Sequence, residues 1–141
     1  MIVIVCLDVD RGMLFHNRRQ SRDRTVIWDI LKTCGDEKIW MNAYSARLFE
    51  NVEKHISCCE DFLEQAAAGE YCFVENHKLL PYQEQIEKLV VYQWNRKYPQ
   101  DFGFDLELDQ WILKGITEIK GYAHEMITKE IYIKGTGHAK V

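Results

Sequence analysis

The sequence contains no apolar run that approaches the ~20 residues of a membrane span, and the segment MIVIVCLD lacks the basic residues that open a signal peptide. We therefore expect a cytoplasmic protein with no membrane partner. The catalytic signatures G-x-S-x-G and H-E-x-x-H and the P-loop are also absent, and the five histidines stand singly. These absences argue against the hydrolase and phosphate-binding classes that carry such motifs.

A C-x-x-C pair is missing as well, which leaves no second pair of ligands to join His55, Cys58 and Cys59 around a metal. We expect no metal. The cysteines are odd in number, which fits reduced thiols in the core better than a disulfide framework. They are Cys6, Cys34, Cys58, Cys59 and Cys72.

What the sequence does contain is typical of a soluble globular protein, since 47% of its residues are hydrophobic and 28% are charged. A chain of 141 residues buries roughly 68–70% of its unfolded surface as a single domain. We therefore expect one domain over residues 1–141.

The net charge of −4 is unevenly distributed. Residues 1–24 hold five arginines against three aspartates, whereas residues 50–70 hold six acids against one lysine. Proteins that bind nucleic acid usually carry a domain-wide basic surface. Direct nucleic-acid binding is therefore not expected, but the arginine cluster needs an explanation.

The apolar pattern alternates between strands and helices up to residue 94. The β-branched run 2–8 predicts a buried strand, and apolar spacings of three and four predict a helix over 21–34, with Ser21 as N-cap and Gly35 as its end. Further strands are expected at 38–41, 54–57, 71–75 and 87–94, and helical segments around 44–49, 60–68 and 78–85.

Two extended segments after residue 110 have no helix between them, and they predict an antiparallel hairpin over 111–134. The fold class is therefore α/β, with a mixed, mainly parallel central sheet flanked by helices and the hairpin at one edge. We expect strand 1–8 to lie between 38–41 and 87–94. Trp28, Trp40 and Phe73 are expected to pack in the core.

Four stretches follow one another in a telling order: DVDRGMLF (8–15), SRD (21–23), KIWMNAYSARLF (38–49), and YCFVENHKLL leading to EKLVVYQW and DFGF (71–104). They resemble, over nearly the whole chain, the dihydrofolate reductase family. The matching family patterns are the first strand with its mobile loop, L-P-x-D, V-I-M-G-R-x-T-W-x-S-I, and V-I-G-G-G-x-x-Y…K-L-Y-L-T-x-I…D-x-x-F. This resemblance implies a dihydrofolate reductase-like fold.

The departures from the family fall where it binds NADPH. A paired glycine lets the family's backbone approach the cofactor phosphates, whereas a side chain blocks that approach and Glu75 adds a repelling charge. The segment from Phe49 to Asp61 is also short for the strand that holds the adenosine end. Five positions of this chain replace the family's cofactor-binding glycine and glycine–arginine motifs: Asn42, Ala43, Val74, Glu75 and Asn76. We therefore expect no cofactor, with NADPH as the alternative.

On the substrate side, the resemblance places Asp23 at the family's pterin-binding carboxylate and Tyr92 at a threonine that holds it through water. Arg18 and Arg19 replace the loop's proline and tryptophan. If the protein is a reductase, Asp23 is its catalytic residue. A single Asp near a helix start more often compensates the helix dipole, and Glu75 by the same logic is a strand-end acid that faces solvent.

The arginine cluster Arg18, Arg19, Arg22 and Arg24 surrounds Asp23 in the sequence and has three interpretations. It is a solvated loop face, a receptor for a small carboxylate or phosphate, or a docking face for an acidic protein or a nucleic-acid backbone. A second candidate is an aromatic loop, because aromatic residues dominate interface hot spots. Its members are Tyr98, Phe102 and Phe104.

The expected function is therefore a non-catalytic binding or inhibitory module on a degenerate dihydrofolate reductase-like fold, which acts on a protein or a protein–nucleic acid complex. One alternative is a divergent NADPH-dependent reductase of a pterin-like substrate. A second is a sensor of small anions that uses the substrate cleft.

Overall fold

The computed structural model describes residues 1–52 and 56–135. Its strands are β1 (Ile2–Leu7), β2 (Gly12–Phe15), β3 (Arg18–Arg19), β4 (Ile39–Met41), β5 (Ile56–Cys58), β6 (Tyr71–Phe73), β7 (Lys88–Gln93), β8 (Phe102–Gly103), β9 (Trp111–Ile119) and β10 (Ile127–Lys134). The α-helices are α1 (Arg24–Cys34), α2 (Ala43–Ala46) and α3 (Phe62–Gln65), and short 3₁₀ helices cover Arg47–Phe49, Leu80–Gln85 and Leu108–Gln110.

Seven strands form the central sheet in the order β5-β4-β6-β1-β7-β10-β9. Neighbouring strands from β5 to β7 run parallel, while β10 pairs antiparallel with both β7 and β9. The mixed, mainly parallel sheet with a C-terminal hairpin is therefore confirmed.

One of the two expected neighbours of the first strand is correct and the other is wrong. β1 pairs with β7 as expected, but its other neighbour is β6, and β4 lies one strand further out. Cys72 and Phe73 of β6 are fully buried, and a strand covered on both faces belongs inside a parallel sheet.

Helix α1 buries Val26, Ile30 and Cys34 against one face of the sheet. Trp28 lies on the opposite side of this helix and is 61% exposed, so its expected core position is wrong. Positions 26, 30 and 34 repeat every four residues, which puts position 28 about half a turn away from the buried stripe. Phe73 is buried as expected, and Trp40 is half-buried.

A second, three-stranded sheet in the order β3-β2-β8 was not predicted. His16 and Asn17 connect β2 to β3 with φ values of 52° and 62°. Two consecutive positive φ angles match the twist of a tight hairpin. The hairpin holds the arginine-bearing segment against the main sheet.

The other helices are shorter than the sequence indicated, since α3 covers four residues and the 43–49 segment divides into α2 and a 3₁₀ turn. The strand expected at 54–57 is β5, although Lys54 and His55 lie outside the described residues. No helix within the described residues is long and apolar enough to cross a bilayer.

Candidate functional site

The carboxyl ends of the parallel strands meet at one edge of the sheet, where ligands bind in open α/β folds. Asp8 follows β1 at this edge and is fully buried. Its carboxylate accepts hydrogen bonds from the backbone of Gly12 (2.7 Å) and Tyr98 (3.1 Å) and from the side chain of Gln20 (3.0 Å). Asp8 therefore joins three loops that surround the candidate cleft.

An ion pair fills the centre of this cleft. Arg19 donates from Nε and Nη2 to the two carboxylate oxygens of Glu75, over 2.7 and 2.9 Å. The side chains are 19% and 9% exposed. Burial of the guanidinium opposes its charge, but the hydrogen bond to Glu75 outweighs this effect and raises the pKa of Arg19.

Helix α2 fixes both partners of the ion pair. Ser45 donates its hydroxyl to Glu75 over 2.7 Å, the Tyr44 hydroxyl accepts from the Arg19 backbone over 2.9 Å, and the guanidinium lies 4.5 Å from the Tyr44 ring centre. Glu75 was expected to face solvent as a strand-end acid, which is wrong. Its two oxygens are engaged by three donors.

The remaining positions that replace the family's cofactor-binding motifs make contacts within the chain. Asn42 accepts from the Ser45 backbone as the N-cap of α2, and its amide donates to Asn76 over 2.8 Å. The Ala43 backbone donates to Glu60 over 2.9 Å, and Val74 is fully buried. All four of these positions are therefore engaged in contacts or packing within the chain.

The cavity left beside the Arg19–Glu75 pair has a volume of about 20 Å³. That is room for about one water molecule, whereas pockets for cofactors and drug-sized ligands measure roughly 300–1,000 Å³. Cys6 lines this cavity, and burial raises the pKa of its thiol far above the usual range, so it is not an activated nucleophile.

Asp23 is the N-cap of α1 in place of the expected Ser21, and it is 3% exposed. Its carboxylate accepts from the backbone of Thr25, at the start of the helix, and from the backbone of Tyr122, Ala123 and His124, about 100 residues away. Burial disfavours the charge, but the hydrogen bonds from His124 and these backbone groups outweigh it and hold the pKa of Asp23 well below its usual range. None of the arginines pairs with it among the described salt bridges.

His124 has a central place in this network, although no motif in the sequence identifies it. Its Nδ1 donates to Asp23 over 2.8 Å, its Nε2 lies 2.9 Å from the Ser21 hydroxyl and 3.1 Å from that of Tyr98, and its ring stacks on Trp94. Asp23, His124 and Ser21 follow the order of an acyl-transfer triad. The cavity beside Ser21 holds about one water, and the hollow of about 260 Å³ that His124 lines does not include Ser21. The network therefore joins loops rather than presenting Ser21 to an acyl substrate.

Tyr92, which the resemblance associates with Asp23, belongs to a different hydrogen-bond network. Its hydroxyl donates to Asp29 over 2.6 Å, and Lys129 pairs with the same carboxylate over 2.8 Å. Burial and the Asp29 charge raise the pKa of Tyr92 far above its usual range. This network joins α1 to β7 and β10.

A surface hollow of about 330 Å³ lies on the other side of Arg19. It joins the two candidate sites of the sequence, because Arg18 and Arg19 from the cluster line it together with Tyr98 from the aromatic loop. Phe15 and His16, whose rings stack with centres 3.8 Å apart, also line it.

The other candidate residues do not line this hollow. Arg22 and Arg24 are exposed, and the Arg24 guanidinium lies 4.0 Å from the Tyr122 ring centre. Phe102 is half-buried beneath Lys78, whereas Phe104 packs in the core at 8% exposure. The expectation that Phe104 is available at the surface is therefore wrong.

None of the five cysteines forms a disulfide within the described residues; Cys34 and Cys72 are buried, whereas Cys58 is exposed. In residues 1–52 and 56–135, no group of three or more His, Cys, Asp or Glu side chains could hold a metal ion. His55, the third member of the group considered with Cys58 and Cys59, lies outside these ranges.

The structure is similar to that of a dihydrofolate reductase from Enterococcus faecalis complexed with NADP(H) and RAB-propyl. The TM-score is 0.67, the match covers 96% of each chain, and sequence identity is 8%. No protein-family model and no curated protein sequence matches the chain. At this identity the similarity shows a dihydrofolate reductase-like fold.

Proposed function

We propose that the protein is a non-catalytic binding module on a dihydrofolate reductase-like fold, which acts by binding a protein or a protein–nucleic acid complex. The observation that carries the proposal is the Arg19–Glu75 pair. The two side chains occupy the centre of the cleft with two short hydrogen bonds and leave a cavity of about 20 Å³. A cofactor would have to break this pair and bring phosphates next to the Glu75 carboxylate.

The binding face that we propose is the surface hollow with its neighbouring arginines. Arg18 and Tyr98 offer a fixed charge and an aromatic ring beside a space of about 330 Å³, which accepts one large side chain of a partner. Arginine and tyrosine are enriched among interface hot spots. Arg22 extends the positive charge outside the hollow, so an acidic protein surface fits this face.

The chain as a whole is acidic, which disfavours direct binding to nucleic acid. The local arginines favour a protein partner with an acidic patch. A module of this kind inhibits its partner when the bound surface is the partner's own functional site. The small-anion sensor has less support, because the cleft cavity holds about one water.

The test is a comparison of proteins captured from cell extract by immobilised variants. The double variant Arg18→Glu, Arg22→Glu should fold normally and lose the captured partner, and the loss should appear mainly in the association rate and fade as salt rises. Arg47→Glu is the matched control, since Arg47 is also exposed but lies after α2. A partner list unchanged by the double variant would remove this face from the proposal.

A further inference from the structure

Strand β9 forms one end of the seven-stranded sheet and pairs with β10 on one side only. With nine residues it is the longest strand of the described chain, and it contains no proline. Its free side presents backbone N–H and C=O groups that no described strand pairs with. Long unpaired edges of this kind are templates for pairing with another chain.

Exposed apolar side chains accompany this free edge. Ile112, Leu113 and Ile116 all lie on β9 and are 41%, 43% and 58% exposed. Three large aliphatic side chains exposed to water on one edge strand do not stabilise a monomer, whereas an interface would bury their apolar surface.

The charges on β9 indicate what covers the edge. Lys114 and Glu118 are its only charged residues, they have opposite signs, and each lies two positions from Ile116. In an antiparallel pair that is centred on Ile116, residues at equal distances on either side stand opposite one another. The strand is therefore complementary to itself.

We propose that two copies of this chain form a two-fold dimer by antiparallel pairing of β9, with Ile116 opposite Ile116 of the second copy. Lys114 of each copy then stands opposite Glu118 of the other, which gives two opposite-charge pairs around an apolar centre. The sheets of the two copies continue into one another, and the interface is isologous.

Neighbouring registers lack this match. Centring the pair on Gly115 puts Lys114 opposite Ile116 and leaves both charges without an opposite partner. Centring it on Lys114 or on Glu118 places like charges opposite each other, and centring it on Thr117 places Lys114 opposite Lys120. Like charges in directly opposite positions destabilise a strand pair.

The bulge in β9 lies at the two ends of this register, at Lys114 of each copy, and leaves its centre regular. Lys114 is the extra residue, because Leu113 pairs with Tyr132 and Gly115 with Ile131 of β10. A bulge and a lysine on an edge strand normally prevent self-association. Here the residues from Gly115 to Ile119 keep regular pairing with β10, and Glu118 of the second copy neutralises the lysine.

Sedimentation of the whole protein from about 1 μM to about 1 mM tests this proposal through a charge exchange. Lys114→Glu and Glu118→Lys should each weaken the dimer by about tenfold or more, because each creates two like-charge pairs. The double variant Lys114→Glu, Glu118→Lys should restore the affinity of the native protein. Lys97→Glu, on an exposed lysine outside β9, is the control and should leave the dimer unchanged.

Circular dichroism verifies that each variant is folded, which all of these exposed positions allow. A protein that stays monomeric throughout the concentration range overturns the proposal. So does a dimer that tolerates both single exchanges, or one that the double variant fails to restore. Ile116→Lys adds a check that does not depend on the ion pairs, since it places two lysines face to face at the centre and should abolish the dimer.

Discussion

Arg19 and Glu75 are joined by two hydrogen bonds of 2.7 and 2.9 Å across the centre of the cleft at the carboxyl edge of the sheet. They lie 56 residues apart in the sequence, one in the hairpin strand β3 and the other two residues after the end of β6. The contact ties the loop that follows β1 to the middle of the sheet and occupies the space where the fold offers a ligand site.

This pair should contribute to stability in a way that depends on both partners. Arg19→Met leaves the Glu75 carboxylate buried without its counter-ion and should lower the free energy of unfolding by about 3 kcal/mol. The double variant Arg19→Met, Glu75→Gln removes the charge as well and should recover a large part of that loss. Urea unfolding at pH 7 measures both, and equal losses in the single and double variants would contradict the interpretation.

Asp23, the N-cap of α1, should make the free energy of unfolding depend on pH in the acid range. The pKa of Asp23 is lower in the folded protein than in the unfolded chain, so its contribution is fully present above the ordinary Asp pKa of about 3.9 and disappears as pH falls toward the folded value. Asp23→Asn should cost roughly 2 kcal/mol at pH 7. The difference from the native protein should shrink between about pH 5 and pH 2 in urea titrations. A difference that is constant with pH would contradict this prediction.

Gly121 lies where the Asp23 network leaves no room for a side chain. A Cβ atom there would sit 2.6 Å from the His124 carbonyl oxygen and 2.9 Å from the Asp23 carboxylate. Gly121→Ala should therefore destabilise the protein by about 1–3 kcal/mol. Gly115→Ala is the matched control, because its Cβ would meet only an Ile131 side-chain atom at 3.9 Å. Thermal unfolding compares the two, and equal effects would argue against a rigid network.

Removal of the Tyr92 hydroxyl should lower the free energy of unfolding only modestly, although the residue is buried. Tyr92→Phe keeps the ring in the core and removes one hydrogen bond, while Asp29 retains its ion pair with Lys129. We expect a loss of about 1–2 kcal/mol in urea unfolding. A loss above about 4 kcal/mol would indicate that Asp29 depends on Tyr92 rather than on Lys129.

The parts of the fold that were predictable are those marked by a pattern within a short stretch of sequence. The buried runs in β1 and β7 identified the parallel core, and the two extended segments after residue 110 identified the hairpin. The position of β6 between β1 and β4 was not predictable, because a three-residue strand carries no signal that fixes its neighbours.

For the candidate site, the sequence predicted several of the residues but not their contacts with one another. The sequence singled out Arg19, Glu75 and Asp23, but it grouped Arg19 with the other arginines around Asp23 and predicted that Glu75 faces solvent. The true partners are set by contacts across 56 and about 100 residues, which depend on the packed sheet. His124 was not identified from the sequence for the same reason, because its partner Asp23 lies about 100 residues away.

Thermal unfolding in the presence of about 1 mM NADPH tests most directly the claim that this cleft is closed to the cofactor. Even a site with a dissociation constant of about 10 μM would add about 2.7 kcal/mol at that concentration, which corresponds to an increase of several degrees in melting temperature. We expect no measurable increase. A clear increase in melting temperature would contradict the account and restore the divergent reductase as the candidate function of this protein.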